Sequence, residues 1–329
     1  MQIRVDLLNI GLIIISAVLA YYFPLGLFVL AYSILGPLHY LTEINWLNDK
    51  KYFTNYSAWV WLGIGLSAAL ALVVPKIIIE YAAEGALQQT MLSFNQWSNS
   101  ILFMSLLLAI GLPLLKIWWH WLIIGIIGLV GAFLLNDSEY YTTIIGLLIP
   151  TIIHVYLFTL LFMLYGAKKS GSTVGYVAVV LALLVPLGMA LINLEGVNYL
   201  FDDRLKEVYI QNNFHVTPVL FSKFIGLSDG TSFFFYEHLW LRFMMFISFI
   251  YCYHYLNWFS KTTVIQWHRL ITGTKAIIIA VIWVINLSLF YYDFRLGFLV
   301  SLFFSFLHVI LEFPLNMLSI KGLLNLDKR

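Results

Sequence analysis

Six of the eight histidines in this chain stand in long apolar runs: His39, His120, His154, His238, His254 and His308. Glu43, Glu237, Glu312 and Arg242 share those runs. An ionisable side chain in hydrocarbon is costly, so each is a candidate for function with a partner to be found. Two spacings repeat. His39 is followed four residues later by Glu43, and His308 by Glu312. Residues four apart face the same way on a helix, so each pair offers an imidazole and a carboxylate to one partner. That donor set suits non-haem iron and catalytic zinc, and a carboxylate one step out can instead orient a ligating imidazole. Prolines stand beside three of these histidines: Pro37, Pro150 and, after Glu312, Pro314. Proline kinks a helix and frees a carbonyl, which is tolerated at membrane depth where protein or a cavity covers it.

Such residues need elements to carry them, and the composition says which. Of 329 residues 62% are apolar and only 10% charged, against about 25% charged in soluble domains. A water-soluble protein is excluded. A net charge of +2 gives no basic face to track phosphates, which excludes a nucleic-acid binder. One cysteine, Cys252, excludes an internal disulfide framework and a Cys-rich metal site. The fold class that remains is all-α, a polytopic helical bundle in a membrane, treated as one domain over 1–329.

Stretches of about 17 to 25 apolar residues are long enough to cross, and ten are expected. They run from Val5 to Tyr22, Pro24 to Trp46, Ser57 to Val74, Asn99 to Leu115, Lys116 to Asn136, Tyr141 to Gly166, Val174 to Asn193, Thr231 to Ser260, Leu270 to Tyr292 and Phe294 to Ser319. One set of span ends holds Arg4, Lys50, Lys51, Lys116, Lys168, Lys169, Lys261, Arg269, Lys275, Lys321, Lys328 and Arg329; the other holds Lys76, Arg204, Lys206, Lys223 and Arg295. Basic residues are retained inside, so both termini are expected in the cytoplasm. The connections 75–98 and 194–230 then face outward. The first has helical spacing suited to lying in the interface.

In that topology His39, His154, His254 and His308 lie on four helices running the same way. Counted from the cytoplasmic ends they stand at roughly 10 Å (His39, His254) and roughly 17 Å (His154, His308), close enough to meet at one centre. The bland alternative for each is a hydrogen bond to a neighbouring helix worth about 1 kcal/mol. His120, among tryptophans at the start of its span, reads as part of an aromatic belt. His238 is too far along its helix from His254 to share a centre, and Glu237 and Arg242 read as a structural pair.

The surroundings of the four histidines resemble motifs of the bacterial and archaeal Brp/Blh family. Gly36-Pro37-Leu38-His39 with Glu43 is similar to that family's Gly-Leu-Pro-His-Gly-Ala-Leu-Asp motif, and Ile152-Ile153-His154 to its Ile-Ile-His motif. Tyr251-Cys252-Tyr253-His254 resembles its aromatic-rich histidine helix, and His308-Val309-Ile310-Leu311 its terminal His-x-Ile-Leu motif, in the same order along the chain. Glutamate stands where the family tends to have aspartate, and Trp258 where it has a second histidine. The resemblance implies an integral-membrane dioxygenase that cleaves β-carotene to retinal.

The resulting expectation is a membrane enzyme with Fe(II), or alternatively zinc, held by His39, His154, His254 and His308. Glu43 and Glu312 orient the ligands or replace one of them. Tyr40, Tyr156, Tyr253, Tyr255 and Trp258 line a pocket for an apolar lipid or carotenoid-like substrate entering from the bilayer. The expected location is the inner membrane of a bacterium. Two other classes stay open: a zinc-dependent intramembrane lipid hydrolase with a glutamate as general base, and a proton-coupled transporter using the same buried His and Glu residues without metal. A haem protein with two axial histidines is a weaker fourth.

Overall fold

The computed structural model describes residues 2–50, 58–115 and 117–324. Lys51, Ser57, Lys116, Lys328 and Arg329, which figure in the span and charge expectations, lie outside the described residues. Among the described residues every regular element is helical. In chain order these are α1 (Ile3–Tyr22), α2 (Pro24–Asp49), α3 (Val60–Tyr81), α4 (Ala86–Asn95), α5 (Ser98–Gly111), α6 (Trp119–Leu135), α7 (Glu139–Ser170), α8 (Thr173–Leu191), α9 (Asp203–Gln211), α10 (Val216–Phe224), α11 (His238–Ser260), α12 (Gly273–Tyr292) and α13 (Phe294–Leu323).

Eight of these are long and apolar enough to cross a membrane, which makes the chain an all-α integral membrane protein. All ten expected spans are helices, but α5 and α6, in the fourth and fifth places, are shorter apolar helices below that length. The two long connections expected to face outward also carry helix. Helix α3 runs on through Pro75 to Tyr81, with α4 after it, and the second connection holds α9 and α10. The eighth span starts at His238 rather than Thr231, because the turn at Gly230 (φ +77) and the segment that follows are not helical. Glu237 and His238 are therefore exposed at the helix start. Arg242 does not pair with Glu237; its Nη2 donates to the carbonyl of Ile192 at 2.9 Å.

Local chemistry sets the breaks. Pro24 opens α2 at a first-turn position where its missing N–H costs nothing. Gly171, left-handed at φ 63, ends α7, and Ser172 begins α8 by accepting from the Gly175 N–H at 3.0 Å. Asp202 and Asp293 cap α9 and α13 in the same way.

Two helices contain π-helical stretches, Ala31–Leu35 in α2 and Thr142–Phe158 in α7. Each coincides with a proline problem. Pro37 would press on the carbonyl of Ser33, four residues back, and Pro150 lies inside the second stretch; a wider helical turn relieves that clash. The stretches end just before His39 and just after His154.

The chain divides into two compact units, residues 1–39 with 151–268, and residues 40–150 with 269–329. In the first, α11 packs on α1 and on the first half of α2, while α8 packs on α1 and on the end of α7. Buried polar groups tie these helices. Asn257 Nδ2 donates to the Tyr253 hydroxyl at 3.0 Å, which lies 3.3 Å from Asn9 Oδ1, and Ser172 Oγ donates to Asp6 Oδ2 at 2.5 Å. In the second unit α13 packs on α3, α5 and α12. Gly297 of α13 comes so close to α12 that a Cβ there would stand 2.5 Å from the Phe290 backbone nitrogen. At one end of this unit Tyr81 donates to Asp293 Oδ2 at 2.6 Å, and Arg295 pairs with Glu80 at 3.2 Å.

Candidate metal centre

In the first unit three histidines from three helices converge. His39 sits one residue past Leu38, in the turn of α2 that follows the π-helical stretch and Pro37. His154 lies in the π-helical part of α7, and His254 on α11. All three are buried. The Nε2 atoms of His39 and His254 are 3.1 Å apart, with ring centroids at 4.7 Å and planes at 76°. The His154 and His254 rings are 5.4 Å apart. Thr159, the residue after the π-helical stretch of α7, places its Oγ1 2.7 Å from His254 Nδ1.

The donors suit a metal ion. Imidazole nitrogens bind zinc at about 2.0–2.1 Å, so two of them on one ion stand about 3.0 Å apart at a right angle and about 3.4 Å apart at the tetrahedral angle. The 3.1 Å between the two Nε2 atoms falls inside that interval. Imidazole suits zinc and iron alike, so the donors alone do not choose between them.

Aromatic side chains enclose the group. Tyr255 and Trp258 lie with ring centroids 5.2 and 5.6 Å from His39. Along α11 the residues Tyr251, His254, Tyr255 and Trp258 repeat at helical spacing and form one face. Tyr253 takes the other face, where its hydroxyl meets Asn9 and Asn257 and its ring stacks on Phe249. Tyr156 is half-buried and donates to the Ala182 carbonyl at 3.1 Å.

The remaining expected residues belong to the second unit. His308 and Glu312 are buried on α13, and Glu43 is buried on α2. Tyr40 stacks on His308 with centroids 4.4 Å apart and planes at 23°. Spacing on α13 extends the polar stripe beyond the pair, because Ser301, Asn316 and Ser319 are buried as well and fall on the same side. Sequence reasoning missed Asn316 and Thr159. The signal for Asn316 was present as the next four-residue step after Glu312. Nothing in the local sequence pointed to Thr159, whose partner is 95 residues away.

His120 is partly buried beside Trp119 at the start of α6, with ring centroids 4.1 Å apart, away from any of these groups in sequence and fitting an interfacial belt. His215 lies in the connection before α10, partly buried, and burial holds its imidazole below the usual histidine range. No family model matches this chain, nor does any curated protein or solved structure. What can be said of its class therefore rests on its own residues: a helical membrane protein whose buried histidines and glutamates have the chemistry to bind a metal.

Proposed function

We propose that this protein is a membrane-embedded, metal-dependent oxygenase with non-haem iron, acting on an apolar polyene, carotenoid-like or lipid substrate. The observation that carries the reading is the meeting of His39 and His254 through their Nε2 atoms at 3.1 Å, with His154 in ring contact beside them. Three helices bury these imidazoles together in a region of hydrocarbon, where a lone histidine would need only one neighbour. The resemblance of the four histidine motifs to Brp/Blh dioxygenases supports the oxygenase class and the polyene substrate. The expected site is the bacterial inner membrane, with both termini in the cytoplasm.

In this reading His39, His154 and His254 hold the ion, and His308 is a fourth ligand on the depth count from sequence alone. Iron, when bound, would supply activation of dioxygen. The chain's own residues do the rest. Tyr255 and Trp258 wall the histidines with apolar rings, which keep water out and offer flat faces to a conjugated chain. Glu43 and Glu312 each follow a histidine by one helical turn, the position from which a carboxylate orients an imidazole and raises its basicity. A substrate soluble only in the bilayer reaches such a site sideways from the lipid.

Metal analysis of the protein purified without chelators, followed by oxygen uptake with β-carotene in detergent, tests the proposal. About one iron per chain and oxygen-dependent loss of polyene absorbance are expected. Stoichiometric zinc with no oxygen uptake would move the reading to a hydrolase, and no metal at all would refute it. If His308→Ala keeps its metal, His308 is no ligand.

A further inference from the structure

Donor and acceptor counting around His254 goes one step beyond the metal reading on which it rests. Thr159 Oγ1 lies 2.8 Å from the carbonyl oxygen of Val155 and 2.7 Å from His254 Nδ1, and both contacts are buried. A carbonyl has no proton to give, and a threonine hydroxyl has one. The proton between Thr159 and Val155 is therefore the threonine's own, in the back-bond to the fourth preceding residue that threonine commonly makes in helices. With that proton committed, Oγ1 faces His254 with lone pairs only. The hydrogen in the second contact must then sit on Nδ1 of the imidazole.

We infer that Thr159 is a positioning residue that fixes His254 in the Nδ1–H tautomer and turns its Nε2 lone pair toward His39 and the proposed metal position. In the neutral imidazole, the form that ligates metals, one nitrogen carries hydrogen and the other is bare. The nitrogen left bare is Nε2, the atom 3.1 Å from His39 Nε2. Metal-ligating histidines commonly donate their other N–H to a fixed oxygen in this way, and here a hydroxyl held by its own helix supplies it. Without metal, His39 is the donor across the 3.1 Å contact, because His254 has no hydrogen on that side.

The π-helical stretch of α7 gives this arrangement its place in the fold. It ends at Phe158, so Thr159 is the first residue of the regular α-helical part, while the carbonyl it holds belongs to the widened part. His154 precedes Thr159 by five residues on the same helix, so α7 supplies both one histidine and the group that orients another.

The test uses full-length protein with 15N-labelled histidine, metal-free, with the His254 signals identified by their loss in His254→Gln. Wild type should show Nδ1 protonated and Nε2 bare at His254; the opposite tautomer would overturn the inference. Thr159→Val keeps the shape and removes the acceptor. It should lower metal affinity by about 10 to 100-fold, the usual cost of losing a group that orients a ligand, with Thr159→Ser restoring affinity. Equal affinity in Thr159→Val and wild type would overturn it as well. If Thr159→Val does not fold, the tautomer in wild type decides alone. A wild type that binds no metal sinks the metal reading, whereas the tautomer measurement still stands because it is made on metal-free protein.

Discussion

Helices α11 and α12 are both long enough to cross the membrane and meet opposite fates. Helix α11 is the less apolar of the two, yet 78% of its most apolar stretch is buried, against 11% for α12. The less apolar helix is the one inside. In water the order would be reversed, because burial there is driven by apolar area. In a bilayer the lipid tails are as apolar as leucine, so helices associate through packing and through polar groups that need each other. Helix α11 carries Arg242, Tyr253 and His254, whose polar atoms meet Ile192, Asn9 and His39 elsewhere in its unit. Helix α12 presents Ile277, Val281 and Ile285, all more than half exposed, and lipid satisfies them as well as protein would.

The sharpest way to break this contrast is at His254. If α11 is buried to hold a metal ligand, His254→Ala should leave a folded protein that has lost about 10-fold or more in metal affinity; metal content after purification measures it. Unchanged metal would leave α11 buried for packing reasons alone.

Gly297→Val tests close packing in the other unit. Its side chain meets the Phe290 backbone, which cannot rotate away, so α12 and α13 must separate locally at a cost of about 1–3 kcal/mol. Unfolding in mixed micelles should show that loss. A neutral substitution would mean that α12 is held only loosely.

Tyr253→Phe makes α11 more apolar and removes its hydroxyl's contact with Asn9 on α1, 3.3 Å away. Polar contacts between membrane helices average about 0.6 kcal/mol and reach about 1.7, so a small destabilisation is expected despite the gain in hydropathy. A more stable variant would contradict the view that polar groups hold α11 inside.

A smaller effect is expected at the end of the second unit. The hydrogen bond from Tyr81 holds the Asp293 carboxyl below its usual range. A depressed carboxylate stabilises the fold above its unfolded pKa of about 3.9, and that contribution is lost as pH falls through the lower folded value. Tyr81→Phe should therefore reduce the drop in thermal midpoint between pH 7 and pH 3; an unaltered drop would show that the bond contributes nothing. Smallest of all, Ile285→Val on the lipid side of α12 should change stability by no more than about 0.5 kcal/mol. A larger loss would place a contact on that face.

The candidate site is partly legible in the residue order. His39, His154, His254, His308, Glu43 and Glu312 are all buried, as ionisable groups in apolar runs suggest. Tyr253 shows where such reading stops. It neighbours His254 in sequence, but on a helix adjacent residues point about 100° apart, and its hydroxyl goes to Asn9 on α1. The Glu237–Arg242 pair failed for a related reason. Glu237 precedes the first helical turn, so the helical spacing that would have brought the two together does not reach it.

What the sequence determined by itself is the solvent and the element type. A charged fraction of 10% and apolar runs of spanning length leave no alternative to helices in a membrane, since each must satisfy its own backbone hydrogen bonds there. Tertiary structure alone decided which nitrogen meets which. The 3.1 Å contact joins residues 215 apart in the chain, and the Thr159 contact residues 95 apart. Spacing along a helix fixes the direction in which a side chain points but not what waits there, and the tautomer of His254, on α11, depends on a hydroxyl proton of α7 already committed to a carbonyl of α7 itself.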